Sequence, residues 1–250
     1  MKIPHQTHVV VWGLPSCGKD FLSHLMQQHL RHVHIFGMGD EFRAVKNQPG
    51  TFDSEVEKFV LEDMPKGELA PIHVYQPVFD AAWQRQREEI RAARLNVFNG
   101  VVRTEEQWKY FRGRLCEDTD HTHRVIVVWL DRPEEICLDL WRERLAQSRE
   151  VRPDDAAGQA VFHDRVSRAV RHWEPICRHL QNGSSADFIR FQVPGKRMEG
   201  GFENLLRALE LEVPRPSYES GVRVPTHDLL RVHAVPNAGP ERLRLQVCAA

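Results

Sequence analysis

Residues 9–20 read VVVWGLPSCGKD, in which Gly13 and Gly18 stand five positions apart and Lys19 follows at once. The pattern G-x-x-x-x-G-K, set between an apolar run and an amphipathic segment, wraps its backbone N–H groups around a polyphosphate. The following helix adds the positive end of its dipole, and the lysine reaches the β and γ phosphates. Gly13 and Gly18 supply backbone conformations and a close approach that a side chain would block. Asp20 stands where a serine or threonine usually follows the lysine. A carboxylate there either points away from the phosphates or helps hold a metal ion through water. Cys17, inside the loop, is a candidate for oxidation.

A loop of this kind needs a strand before it and a helix after it. Short runs rich in Val, Ile and Phe occur at 8–12, 33–36, 95–98 and 125–130, with a weaker fifth at 188–193. Near-continuous apolar strands joined by long helical connections predict a parallel sheet covered on both faces. Between the strands, residues 19–31 place Phe21, Leu22, Leu25, Met26 and Leu30 at helical spacing. A second helix is expected over 132–147, with Ile136, Leu138, Leu140, Trp141 and Leu145 on its apolar side, and a third over 160–180. The reading is an α/β layered domain. The charged stretch 46–94, punctuated by Pro49, Pro65, Pro71 and Pro77, reads as an inserted helical subdomain. From Pro214 onward prolines recur, predicting a disordered or loosely packed tail in which 221–224 and 230–235 could form an edge hairpin.

Composition narrows the classes. The 250 residues carry 34 Lys and Arg against 35 Asp and Glu, a net charge of -1 that argues against a nucleic-acid binder. Five cysteines, an odd number without a C-x-x-C pair, indicate neither a disulfide framework nor a zinc site and fit a reducing, cytoplasmic setting. No apolar stretch approaches the roughly 20 residues needed to cross a bilayer, so no membrane partner is expected. The histidines near positions 5–8, 29–34 and 121–123 read as solvated, and the six tryptophans as covers for helix faces.

Further segments act together with the loop. They are HIFGMGDEFRA at 34–44, KGELAP at 66–71, NVFNGVVRTEEQ at 96–107, VRPDD at 151–155 and RVSRAVRHWEPI at 165–176. In order and spacing they resemble the adenylate kinase family of nucleoside monophosphate kinases, over about residues 8–210. The resemblance implies a three-layer αβα P-loop fold with a five-stranded parallel sheet. Residues 1–212 would form the kinase-like domain, with a helical acceptor-binding insertion at about 41–90 and a short lid at about 144–163. Residues 213–250 would be the proline-rich tail. The implied activity is transfer of the γ-phosphate of ATP to a nucleoside monophosphate, with Mg²⁺ as cofactor, nucleotides as the only partners and a monomeric chain. The lid is too short for the zinc-carrying form found in some relatives.

Carried over position by position, the resemblance assigns ATP to Gly13, Pro15, Ser16, Cys17, Gly18, Lys19, Asp20, Phe21, Arg144 and Gly195. It assigns the monophosphate to Met38, Gly39, Arg43, Leu69, Ala70, Gly100, Arg103, Gln107, Arg152 and Arg165. Lys19, Arg103, Arg144, Arg152 and Arg165 would be catalytic, and Asp40 and Asn99 would hold the metal through water. Arginine suits this chemistry because its planar fork binds phosphate oxygens in pairs. The Gln107 amide offers a donor and an acceptor side by side, complementing adenine, and so favours AMP; rotated, it would suit guanine. Four residues depart from the family pattern: Ser16 for a loop glycine, Phe21 for a phosphate-binding threonine, Met38 for a threonine and Asn99 for an aspartate. They leave open a divergent nucleotide binder with weak or no turnover, or a kinase acting on another monophosphate. A small-molecule kinase on the same fold is the third alternative.

Overall fold

The structure, a computed structural model, describes residues 6–118, 124–147, 155, 158–181, 186–209 and 245–248. The chain begins with β1 (Thr7–Gly13), α1 (Lys19–His29) and β2 (Val33–Gly37). Four helices then intervene before the next strand: α2 (Met38–Val45), α3 (Ser54–Lys58), α4 (Ile72–Arg85) and α5 (Arg87–Ala92). A π-helical turn (Phe59–Asp63) and a 3-10 turn (Met64–Lys66) link α3 to α4. Strand β3 (Leu95–Asn99), α6 (Glu105–Asp118), β4 (Arg124–Asp131), α7 (Glu134–Gln147), α8 (Gln159–Gln181), β5 (Ala186–Gln192) and α9 (Glu199–Ala208) follow.

The sheet is entirely parallel, with order β2-β3-β1-β4-β5 and a sixth strand, β6 (Leu245–Cys248), beside β5. The expected five strands are therefore joined by one from the tail, which pairs in parallel along the edge of β5 and covers backbone groups that would otherwise stand open. The hairpin expected at 221–224 and 230–235 lies outside the described residues.

Two cores explain the uninterrupted apolar strands. Side chains alternate across a strand, so Val10 and Trp12 of β1 join one core while Val9 and Val11 join the other. The first core gathers Phe36, Phe79, Trp83, Phe98 and Phe111 beneath α4 and α6. The second gathers Leu22, Met26, Trp141 and Phe162 beneath α1, α7 and α8, so helices cover both faces of the sheet and the fold is a three-layer αβα sandwich. The prolines of the charged stretch act as punctuation. Pro71 caps α4, accepting from the N–H groups of Val74 and Tyr75, and Pro65 sits in the 3-10 turn. Pro77 lies inside α4 without ending it.

Connections from β1 run toward β2, whereas those from β4 run toward β5. The two strands are neighbours, and the C-terminal ends of strands at such a reversal leave a crevice where ligands of open α/β sheets bind. The G-x-x-x-x-G-K loop leaves β1 at that point.

Candidate functional site

A cleft of about 360 Å³ opens at the C-terminal ends of β1, β2 and β3. It is lined by the loop, by the first turn of α2, by the KGELAP segment, by the turn after β3 and by residues of α7 and α8. Lys19, Arg43, Arg103, Arg144 and Arg165 reach it, against Asp20, Asp40 and Glu68. The near-neutral whole chain thus carries a formal cationic excess where its motifs converge, which suits a polyanion.

The loop is built by local backbone chemistry. Gly18 caps α1 in the left-handed region at φ 98°, and Ser16 adopts the same region at φ 58° although it carries a side chain. The serine at a loop-glycine position therefore keeps the glycine-type backbone, at the steric strain such a residue stores. A side chain on Gly13 would meet Cys17 Sγ at 2.6 Å and the Leu130 carbonyl at 2.7 Å. Cys17 is fully buried beneath this turn, so it does not line the cleft and the oxidation expected of an open thiol does not apply. Burial pushes the Cys137 thiol, in the same core, up to about 12. The Lys19 ammonium donates to the carbonyls of Gly13 at 3.0 Å and Leu14 at 2.7 Å, lying back over its own loop.

Asp20 does not turn away. Its carboxylate accepts a hydrogen bond from the Asn99 amide at the end of β3, and both residues line the cleft. Asp40 instead pairs with Arg43 one turn along α2. Gly37 permits this turn, since a side chain there would meet Asp40 Oδ2 at 2.8 Å. Phe21 is 47% exposed at the cleft wall, an apolar surface at a position where the family pattern carries a hydroxyl.

The apolar part of the cleft is formed by Met38, Phe42, Phe59, Ala70, Tyr75 and Val102. Gln107 lies here but is only 3% exposed, and its amide is largely committed. Its Nε2 donates to the Ala70 carbonyl at 2.9 Å, and its Oε1 accepts from the Arg103 N–H at 2.9 Å. The side chain ties the KGELAP segment to the turn after β3, leaving one N–H and one lone pair for anything else.

Arg144 and Arg165 share one anion. Asp155, 3% exposed, receives Arg144 Nη2 at 2.9 and 2.8 Å on its two oxygens, Arg165 Nη1 at 3.5 Å and the Trp141 indole N–H at 3.0 Å. Along α8, Arg165 and Ala169 line the cleft, and Trp173, four residues further on, stacks on Trp12 with ring centroids 3.7 Å apart. Arg168 donates to the Gly67 carbonyl at 2.6 Å and pairs with Glu68 at 2.8 Å. This one helix therefore touches both the β1 strand and the insertion.

The cleft gathers Gly13, Pro15, Ser16, Gly18, Lys19, Asp20, Phe21, Met38, Gly39, Asp40, Arg43, Leu69, Ala70, Asn99, Gly100, Arg103, Gln107, Arg144 and Arg165. Gly195 is not among its lining residues; it lies in the turn after β5, next to the Lys196 carbonyl that accepts from Arg132. Arg152 lies outside the described residues, as do His5, His121 and His123. Sequence reasoning missed Trp12, Tyr75 and Arg168. Tyr75 falls within the stripe Val74, Tyr75, Val78, Phe79, Ala82 and Trp83, which reads as core. Trp12, on a strand rather than a helix, has no local sign of lining a cavity.

What the fold and the cleft define is a three-layer α/β protein whose glycine-lysine loop opens into a cationic cleft at the sheet's topological reversal. No protein-family model and no curated protein matches the chain. Among the described residues no helix is long and apolar enough to cross a membrane.

Proposed function

We propose that the chain is a nucleoside monophosphate kinase of the adenylate kinase type, with ATP as donor and AMP as the leading acceptor. A single observation carries the reading: the loop lysine, the two strand-end arginines Arg43 and Arg103, and the two arginines Arg144 and Arg165 all line one cleft that also has an apolar end. Phosphoryl transfer through a dispersed, highly anionic transition state needs fixed cations and positioning more than covalent help. An oxygen of the acceptor phosphate bonds to the γ-phosphorus as the bond to the β-γ bridging oxygen breaks, giving two nucleoside diphosphates. No general base is needed, because the acceptor phosphate is already ionised. The cysteine pattern favours a cytoplasmic site of action, and a monomer is the simplest state for a site drawn from one chain.

Magnesium bound with ATP would neutralise charge on the β and γ phosphates, and it characteristically uses one or two carboxylates beside phosphates and water. Asp20 fits that need better than Asp40. It lines the cleft and its Oδ1 accepts from the neutral Asn99 amide, whereas Asp40 faces the Arg43 guanidinium. In effect the pair has exchanged its charge: the carboxylate sits after the loop lysine and the amide at the end of β3. Asp20→Asn is therefore expected to weaken Mn²⁺ uptake by the protein·ATP complex roughly 10-fold or more, read by electron paramagnetic resonance. Unchanged Mn²⁺ affinity would remove Asp20 from the metal's surroundings.

The test of the reading is a coupled assay of ATP with AMP, CMP, UMP and GMP. ADP formation with at least one monophosphate, highest with AMP, is the expected result. Two observations favour alternatives. Phe21, exposed where a hydroxyl would contact phosphate, favours a nucleotide binder with little turnover. The committed Gln107 amide favours a kinase for another monophosphate, since it leaves less of the glutamine to read adenine. Nucleotide binding without turnover would establish the first, and a base preference other than adenine the second. Phosphorylation of a non-nucleotide acceptor alone would overturn all of these.

A further inference from the structure

With Gln107 tied to Ala70 and Arg103, the apolar end of the cleft needs another polar group if it is to distinguish one base from another. Among the described residues, three buried polar side-chain atoms without a hydrogen-bond partner belong to cleft residues: Ser16 Oγ, Arg144 Nε and the Tyr75 hydroxyl. The first two sit in the loop and beside the Asp155 cluster. Tyr75 alone belongs to the apolar end.

Its position is fixed from several sides. Tyr75 lies in the first turn of α4, where its N–H donates to the Pro71 carbonyl at 2.9 Å. Its ring stacks on Phe79 with centroids 5.4 Å apart and meets the edge of Tyr110 at 6.3 Å. The neighbouring Ala70 is held to α6 by Gln107. The residue is 1% exposed, so water does not hydrate the hydroxyl as it would at a surface. A buried phenol without a partner is destabilising, because its lost hydration is not replaced. Burial, with Tyr110 and Asp80 adding to it, holds the phenol's pKa well above its usual value, so the group remains an O–H donor at neutral pH. A rigid, buried and unpaired donor beside Met38, Phe42, Phe59 and Val102 matches what a planar heterocycle needs: apolar contact on its faces and one directional bond at its edge.

We propose that Tyr75 is a specificity-determining residue, donating its hydroxyl hydrogen to a ring nitrogen or carbonyl oxygen on the base of the acceptor nucleoside monophosphate. The inference rests on the monophosphate kinase reading and extends it by moving base choice from Gln107 to Tyr75. A site built to satisfy a polar group discriminates strongly against ligands that leave it unpaired, so the base offering an acceptor at the right edge position gains over the other three.

Tyr75→Phe removes the hydroxyl and keeps the ring packing, so the variant is expected to fold. Calorimetric titration of the wild type and the variant with AMP, GMP, CMP and UMP tests the proposal, with the melting temperature of each free protein. The expected result is that the variant binds the preferred monophosphate roughly 3- to 10-fold more weakly and the poorest one unchanged, while its melting temperature stays level or rises. Equal weakening for all four, or a lowered melting temperature in the free variant, would mean that the hydroxyl serves the fold through a bound water, and would overturn the proposal. Unchanged affinities in the variant would overturn it while leaving the kinase reading intact. A wild type that takes up ATP but none of the four monophosphates would overturn the kinase reading and the role of Tyr75 with it.

Discussion

Lys19→Ala is expected to lower turnover of ATP with any monophosphate by roughly 10²–10³-fold, the scale on which a single preorganised transition-state donor acts. The resting place of the ammonium sets this expectation. In the free protein it lies on the carbonyls of Gly13 and Leu14, with Cys17 Sγ at 3.6 Å. Those acceptors are only partly buried, so water can replace the lysine, and the variant should keep its melting temperature within about 1–2 °C, as a change of a few tenths of a kcal/mol implies in a chain of this size. Activity and stability should therefore separate cleanly. Lys19→Arg is expected to fall nearly as far, because a planar fork does not replace a compact ammonium inside a tight backbone loop. The measurement is the steady-state rate in the four-monophosphate assay, together with an ATP titration of each variant. Retention of more than a tenth of the wild-type rate in Lys19→Ala would remove the loop from the chemistry. A rate lost in parallel with the melting temperature would instead make Lys19 a brace for the loop.

The features legible in the sequence are those fixed by neighbours a few residues away. Gly13, Gly18 and Lys19 define the loop through their own spacing, and the apolar strands announce a parallel sheet because both of their faces are buried. What sequence reading misses is set by partners brought together only by folding. Asp20 is ambiguous until Asn99, 79 residues away, is seen beside it. Gln107 offers the right amide for adenine, but its bonds to Ala70 and Arg103 depend on the meeting of the insertion with the turn after β3. Tyr75 hides in an apolar stripe because packing and recognition ask for the same aromatic body, and only the unpaired hydroxyl distinguishes them. The sixth strand comes from a proline-rich segment whose local pattern argues against order, and pairing with β5 supplies what local propensity lacks.

Asp155→Ala, which removes the buried carboxylate behind the cleft arginines, is expected to be the most damaging single change to stability around the site. The carboxylate is 2% exposed at its side chain, yet it serves three donors: Arg144, Arg165 and the Trp141 indole. Removing it takes a shared anion from two guanidiniums whose own side chains are 31% and 16% exposed, so water recovers part of what is lost. The penalty should therefore fall near the lower end for a broken buried pair, about 3 kcal/mol, or a fall in melting temperature of about 6–12 °C. Asp155→Asn keeps the shape and an acceptor for Trp141 but loses the charge, and should fall roughly half as far. The same carboxylate aims Arg144 and Arg165 at the cleft, so turnover should drop in both variants well below the melting transition. That separates orientation from global unfolding, because a folded variant retains the cations but not the carboxylate that aims them. A double-mutant cycle between Asp155→Ala and Arg165→Ala gives the decisive number. Coupling above about 1 kcal/mol in stability, together with non-additive losses in kcat, is the expected result for groups acting as one unit. Additive effects would mean that Asp155 only braces α7 through Trp141 and Arg144, leaving Arg165 to find its own position over the cleft.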